Sequence, residues 1–234
     1  SFYDLEIAWM DAQLGRLFLW LEETGQLDNT LVVLTADHGQ GLSRGERLHA
    51  WSRHRLIYQW SIHVPLIIAG PSITPQSSID AMVRTTDIAP TLLELLDLAP
   101  EAPMDGSSLS ALMGGAEDEP RIAYADALNT HDSFAPLARL PENCRDDLIC
   151  ASDGRYKLIH HLMTPSESEL FDLQEDPDEQ KNLYSTEPEI ASRLHSFLQT
   201  EGALSISERA SSGEAPNQDA LNGLGYTGES EDSE

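Results

Sequence analysis

The sequence predicts an α/β fold: a mostly parallel sheet flanked by helices, followed by a small antiparallel α+β subdomain. Three observations carry that reading. Leu31 to Thr35 are all aliphatic or β-branched and uncharged, which suits a strand buried on both faces of a parallel sheet, and the run stops abruptly at Asp37-His38-Gly39. Ahead of it lies an amphipathic stretch, giving helix, short loop and buried strand, one half of a βαβ unit. Far beyond it, short strand-like runs alternate with turn residues, and Asp153-Gly154 between two of them is a hairpin signal.

Taken in order, Ile7, Met10, Leu14, Leu17, Phe18 and Leu21 recur at spacings of three and four, placing a helix over 4–23 with one apolar stripe. Gly25 follows the stripe as a C-terminal cap, and Asp28-Asn29 turns the chain into the strand. The segment 39–55 is glycine-rich at its start and basic later. Val64 to Ala69 is a second buried strand, with Pro65 near its beginning and Gly70-Pro71 after its end. Asp87 reads as the N-cap of a helix with Pro90 in its first turn, running to about Leu98 and ended by Pro100. After Gly114 the texture changes. An acidic, proline-punctuated segment leads to strand-like runs at 122–125, 148–152, 155–161 and 169–173 and a closing helix over 189–199, with Ile190, Leu194, Phe197 and Leu198 on one face. The expected organisation is therefore an α/β part over 1–114, a small antiparallel subdomain over 122–200, and an acidic, mostly irregular tail over 201–234.

Charge narrows the partners. Lys plus Arg number 14 against 40 Asp plus Glu, for a formal net charge of −26. Such a balance argues against nucleic acid and anionic lipid surfaces. No run of roughly 18 apolar residues occurs, so no segment is expected to insert into a membrane. The chain opens at Ser1 directly on a helix pattern, without a signal-peptide pattern, and reads as a piece of something longer. Cys144 and Cys150 either pair or remain thiols, which leaves the redox compartment open.

The chemistry concentrates between residues 37 and 55. Ligands in open α/β sheets sit outside the carboxyl ends of the strands, where Asp37 and His38 arrive. A carboxylate beside an imidazole can hold a divalent cation; the same pair also reads as a capping acid and a loop histidine. Arg44, Arg47, Arg53 and Arg55, with His49 and His54 among them, form a basic island on an acidic chain, suited to attracting an anion.

These motifs, in this order, resemble the C-terminal half of a sulfatase, within the alkaline-phosphatase-like superfamily. The resemblance runs through Tyr3-Asp4 to Gly15, Asp28 to Gly39, Ile57 to Trp60 with His63 to Ile67, Asp87 to Leu93, and Asp105 to Leu109. It continues through Arg155 to Ile159, Glu169 to Leu173, Asp176-Pro177 to Leu183 and Leu221 to Tyr226. It implies hydrolysis of sulfate esters on a sulfated small molecule or glycan, with Asp37 and His38 as ligands of a divalent metal. Calcium is the family's usual ion; manganese, magnesium and zinc also suit a histidine-containing site. His54 and His49 then fall in the loop that carries residues touching the sulfate or the leaving group, with Arg53 and Arg55 binding substrate. The length of the loop departs locally from the family around Arg44 to Leu48.

The family's formylglycine nucleophile arises in a Cys/Ser-x-Pro/Ala-x-Arg segment, and neither Cys144 nor Cys150 lies in one. The nucleophile and the first acidic pair of metal ligands are therefore expected in a missing N-terminal half, and this chain is expected to be inactive alone. An extracytoplasmic location is the family expectation. Two alternatives share these residues: a phosphoester or phosphonate ester hydrolase of the same superfamily, and a non-catalytic module that binds sulfated glycans.

Overall fold

The computed structural model describes residues 2–40, 56–71, 73–74, 78–116, 121–128 and 145–200. The chain divides into two compact units, the first comprising 1–54 and 58–123 and the second 55–57 and 124–234. No helix among the described residues is long and apolar enough to cross a membrane.

In the first unit, helix α1 spans Phe2–Glu23. It ends where the sequence places its cap: Gly25 adopts φ +67°, its N–H donates to Glu22 O, and the Gln26 N–H donates to Leu21 O. Those two bonds satisfy carbonyls that the helix itself leaves open. The expected apolar stripe, however, is not buried. Ile7, Met10, Leu17 and Phe18 are exposed, and so are Leu5, Trp9, Leu19 and Trp20 on other faces.

Strand β1 (Val32–Thr35) pairs with β2 (Leu66–Ala69), Val32 opposite Ala69 and Thr35 opposite Leu66. The pairing is antiparallel, where hydropathy predicts a parallel sheet. An uncharged run signals burial, and burial alone does not encode strand direction. Nor are the two strands buried on both faces: Leu34 of β1 and Ile67 of β2 are exposed. The layers that would cover them are not among the described residues.

Beyond β2, helix α3 spans Ile88–Leu95 and the one-turn helix α4 spans Ser110–Met113, the short α2 (Gln59–Ile62) having preceded β2. Asp97, at φ +56°, breaks α3 before the expected Leu98. Asp87 stands at the N-cap position of α3, but its carboxylate makes no cap bond there. Fully buried, it accepts from the Arg84 backbone N–H and guanidinium and from the Ser107 N–H, with Arg121 Nη1 at 3.5 Å. Burial opposes its ionisation, and the bonds from Arg84 and Ser107 outweigh burial, holding the carboxyl below its ordinary range. Thr91 Oγ1 adds a second tie, donating to Asp87 O and accepting the Leu109 N–H at 2.9 Å. The segments 87–93 and 105–109 are thus one structural unit.

The second unit is a four-stranded sheet in the order β3 (Ala123–Leu128), β4 (Asp147–Ser152), β5 (Tyr156–His161), β6 (Glu169–Asp172), packed against helix α5 (Pro188–Thr200). β4 pairs antiparallel with β5, and β5 with β6. The Asp153-Gly154 signal is realised: Asp153 Oδ1 accepts the N–H groups of Arg155 and Tyr156, and Oδ2 takes the Arg193 guanidinium from α5. Ile149, Ala151, Leu158, Leu170, Phe171, Leu194 and Leu198 are fully buried. Among them lie a buried ion pair, Lys157 Nζ to Glu179 Oε1 at 2.8 Å, and the free thiol of Cys150. Burial pushes that thiol up to about 11.

Candidate metal centre

β1 ends at Thr35, and the next turn carries Asp37, His38 and Gly39. Asp37 is two-thirds exposed at its side chain and His38 about one-third. The Asp37 carboxylate is fixed at one oxygen, Oδ1, which accepts the backbone N–H of His38 at 2.9 Å. Its other oxygen, Oδ2, lies 3.6 Å from His38 Nε2. The far ring nitrogen, Nδ1, lies 2.8 Å from the carbonyl oxygen of Gly39.

That arrangement fits a shared cation. Metal–oxygen and metal–nitrogen bonds of about 2.0–2.3 Å place two ligand atoms of one ion roughly 3–3.5 Å apart. The observed spacing is close to that. One carboxylate oxygen and one imidazole nitrogen is also a donor pair that manganese, zinc and magnesium accept, and calcium accepts with less preference for the nitrogen. Two ligands make half a site. Among the described residues, no group of three or more His, Cys, Asp or Glu is placed to hold an ion. His49, Arg53, His54 and Arg55 lie outside the described residues, as do Cys144 and the tail 201–234.

The structure adds a residue that sequence reasoning passed over. Gly39 reads in the sequence only as a loop glycine. Its N–H donates to Ser61 O at 2.6 Å, and a Cβ on it would lie 2.1 Å from the carbonyl oxygen of Trp60. The turn after β1 is therefore pressed against the backbone of α2, in a contact that admits no side chain. The only sequence signal for this was the glycine itself, directly after two chemistry-bearing residues.

Known proteins are similar to this chain over most of its length. The family described as "N-sulphoglucosamine sulphohydrolase, C-terminal" matches residues 45–202. Arylsulfatase K of Mus musculus is 30% identical over 202 residues, covering 86% of this chain and 35% of that protein. The choline-sulfatase of Rhizobium meliloti is 32% identical over 184 residues, covering 77% of the chain and 32% of the relative. The chain thus spans about a third of the length of the relatives it matches. Among solved structures, one in complex with its substrate D-glucosamine-2-N,6-O-disulfate superposes with a TM-score of 0.69 at 26% identity, over 84% of this chain and 39% of that one. The phosphonate monoester hydrolase of Agrobacterium radiobacter superposes with a TM-score of 0.59 at 29% identity, over 87% and 40%. The α/β class is that of these structural neighbours, the two antiparallel sheets being the part of it that this chain carries. Family match, relatives and fold converge: the chain belongs to the sulfatase family, within the alkaline-phosphatase-like superfamily, and carries its C-terminal half.

Proposed function

We propose that the chain is the metal-strand and C-terminal portion of a metal-dependent sulfuric ester hydrolase, supplying Asp37 and His38 to a divalent cation. The observation that supports this most is the approach of Asp37 Oδ2 to His38 Nε2 at the carboxyl end of β1. A cation held there supplies positive charge for the non-bridging oxygens of a sulfate ester. Asp37 contributes an anionic oxygen and His38 a neutral nitrogen, so the pair leaves a divalent ion with net positive charge. On this reading His54 protonates the departing oxygen or contacts the sulfate. His49, Arg53 and Arg55 add donors for the anion, and all four assignments rest on the sequence.

The nucleophile, a formylglycine, and the remaining metal ligands belong to a segment preceding this chain. The substrate class is a sulfated glycan or sulfated small molecule, a reading supported by the neighbour bound to D-glucosamine-2-N,6-O-disulfate. Location outside the cytoplasm belongs to the same proposal. So does a division at about residues 114–122 between the α/β portion and the antiparallel subdomain.

A second reading, hydrolysis of phosphonate monoesters, is favoured by two structural neighbours with that activity in their names, at 26% and 29% identity. Sulfate monoesters and phosphonate monoesters are both tetrahedral monoanions, so the metal pair serves either.

The test uses the 234-residue chain. Titrating manganese(II) is expected to broaden the NMR signals of Asp37 and His38 selectively, and Asp37→Asn to weaken that broadening at least tenfold. The same chain with metal is expected to leave an aryl sulfate intact. Turnover by the chain alone would refute the missing nucleophile, and uniform or absent broadening would refute the metal pair.

A further inference from the structure

We infer that Gly39 is a positioning residue for the site: its carbonyl sets the tautomer of His38, and its contact with α2 fixes that carbonyl in place. The inference rests on the metal reading above for its purpose, and on the geometry of the turn for its substance.

A carbonyl oxygen only accepts hydrogen bonds. The 2.8 Å contact between His38 Nδ1 and Gly39 O therefore requires the proton on Nδ1. In the neutral ring Nε2 then carries the lone pair, and Nε2 is the nitrogen on the Asp37 side, 3.6 Å from Oδ2. The opposite tautomer would place N–H, which binds no metal, beside the carboxylate and set a lone pair against the Gly39 oxygen. The partner of the far nitrogen commonly decides which ring nitrogen meets a metal, and its loss typically lowers metal affinity by about 10–100-fold.

A carbonyl in a mobile loop would make a poor anchor. Gly39 is held from its other side: its N–H donates to Ser61 O at 2.6 Å, and Ser61 itself is buried. Ser61 is set in turn by α2, where its N–H donates to Tyr58 O at 2.8 Å. Tyr58 is buried, and its ring stacks on Trp60 at 5.9 Å. The chain of contacts runs from packed aromatics through one helical turn to a glycine, and from the glycine to an imidazole. A side chain at 39 would meet the Trp60 carbonyl oxygen at 2.1 Å, so any other residue must push the turn away from α2. That displacement moves the carbonyl on which the His38 ring hangs.

The experiment reads the ring nitrogens directly. In the ¹⁵N-labelled 234-residue chain without metal, His38 is expected to show its neutral-ring proton on Nδ1, and the Gly39 amide to resist hydrogen exchange. Gly39→Ala, folded by circular dichroism, is expected to mix the tautomers and to weaken manganese(II) broadening at His38 by about tenfold or more. A proton on Nε2 in the native chain overturns the inference. So does a folded Gly39→Ala chain with the native tautomer and native manganese response. Should that variant fail to fold, the native chain decides: a mixed tautomer with a freely exchanging Gly39 amide overturns the proposal, and the Nδ1 proton with a protected amide supports it. An Nδ1 proton without selective broadening at Asp37 and His38 sinks the metal reading while upholding the hold of Gly39 on the ring.

Discussion

The two units treat apolar residues in opposite ways. In the second, β4, β5, β6 and α5 close over one another, and Ile149, Leu158, Phe171 and Leu194 are fully buried. In the first, α1 exposes Leu5 at 66% and Trp9 at 67%, and β2 exposes Ile67 at 58%. A helix rich in apolar residues on several faces is normally an interior helix. The difference teaches that hydropathy records the environment in which a segment was selected. It does not record which part of a polypeptide supplies the cover. The second unit contains its own cover, whereas that of α1 and β1 is not among the described residues.

The contrast can be broken most forcefully at the buried ion pair. Lys157→Met leaves the Glu179 carboxylate buried without its ammonium, and should destabilise the second unit by about 3–5 kcal/mol. Adding Glu179→Gln should recover much of that loss, since the buried carboxylate charge is then removed as well. Every tryptophan precedes residue 61, in the first unit, while Tyr124, Tyr156 and Tyr184 lie in the second. Denaturant unfolding should accordingly lower the midpoint read from the resolved NMR signals of Tyr156 and Tyr184, Tyr3 and Tyr58 lying in the first unit, and leave the indole transition near its native position. A common shift in both would show that the units unfold as one.

Acid should separate the units more gently. His160 donates to or accepts from Ser168 Oγ at 3.0 Å and meets the His195 ring of α5 edge-on at 4.8 Å. Burial lowers its pKa, the charges of His195 and His161 add to that, and Asp146 opposes them. A histidine depressed in the folded state contributes stability above its ordinary value near 6.5, lost as pH falls through that value toward the depressed one. The second unit should therefore be weaker at pH 5.5 than at pH 7.5, and His160→Gln should flatten the difference. The depressed carboxylates Asp146, Asp153 and Asp172 act later, their contribution disappearing only as pH falls below about 4. An unchanged midpoint between pH 7.5 and 5.5 would contradict the His160 assignment.

The smallest effect belongs to the exposed helix. Leu5→Ala should change the stability of this chain by less than about 0.5 kcal/mol, where removing a buried leucine such as Leu194 typically costs about 2–5 kcal/mol. A loss of 2 kcal/mol or more at Leu5 on the indole transition would mean that α1 is covered in solution.

Much of this was legible in the sequence. Period and turn chemistry located α1 with its Gly25 cap, the strands of the second unit, the Asp153-Gly154 hairpin and α5, because each is decided by neighbouring residues. The pairing direction of β1 and β2 was not legible, since it depends on how the connection 36–65 returns and not on the apolar run itself. Asp87 looked like a cap of α3 because short acids usually are; its carboxylate instead turns back to Arg84 and across to Ser107 and Arg121, and those last two are distant in sequence. At the site, Asp37 and His38 could be picked out by type and position at a strand end. Gly39 could not, because its role comes from the backbone of Trp60 and Ser61, which no local pattern announces.

Cys150 sits in the centre of β4 opposite Ile159, sealed from water and held almost wholly as the thiol at neutral pH. Since thiolate is the form that reacts, oxidants and alkylating reagents meet an inert sulfur for as long as the strands stay zipped. The atom is thus a built-in clock: its rate of labelling counts the moments when this half of the molecule comes apart.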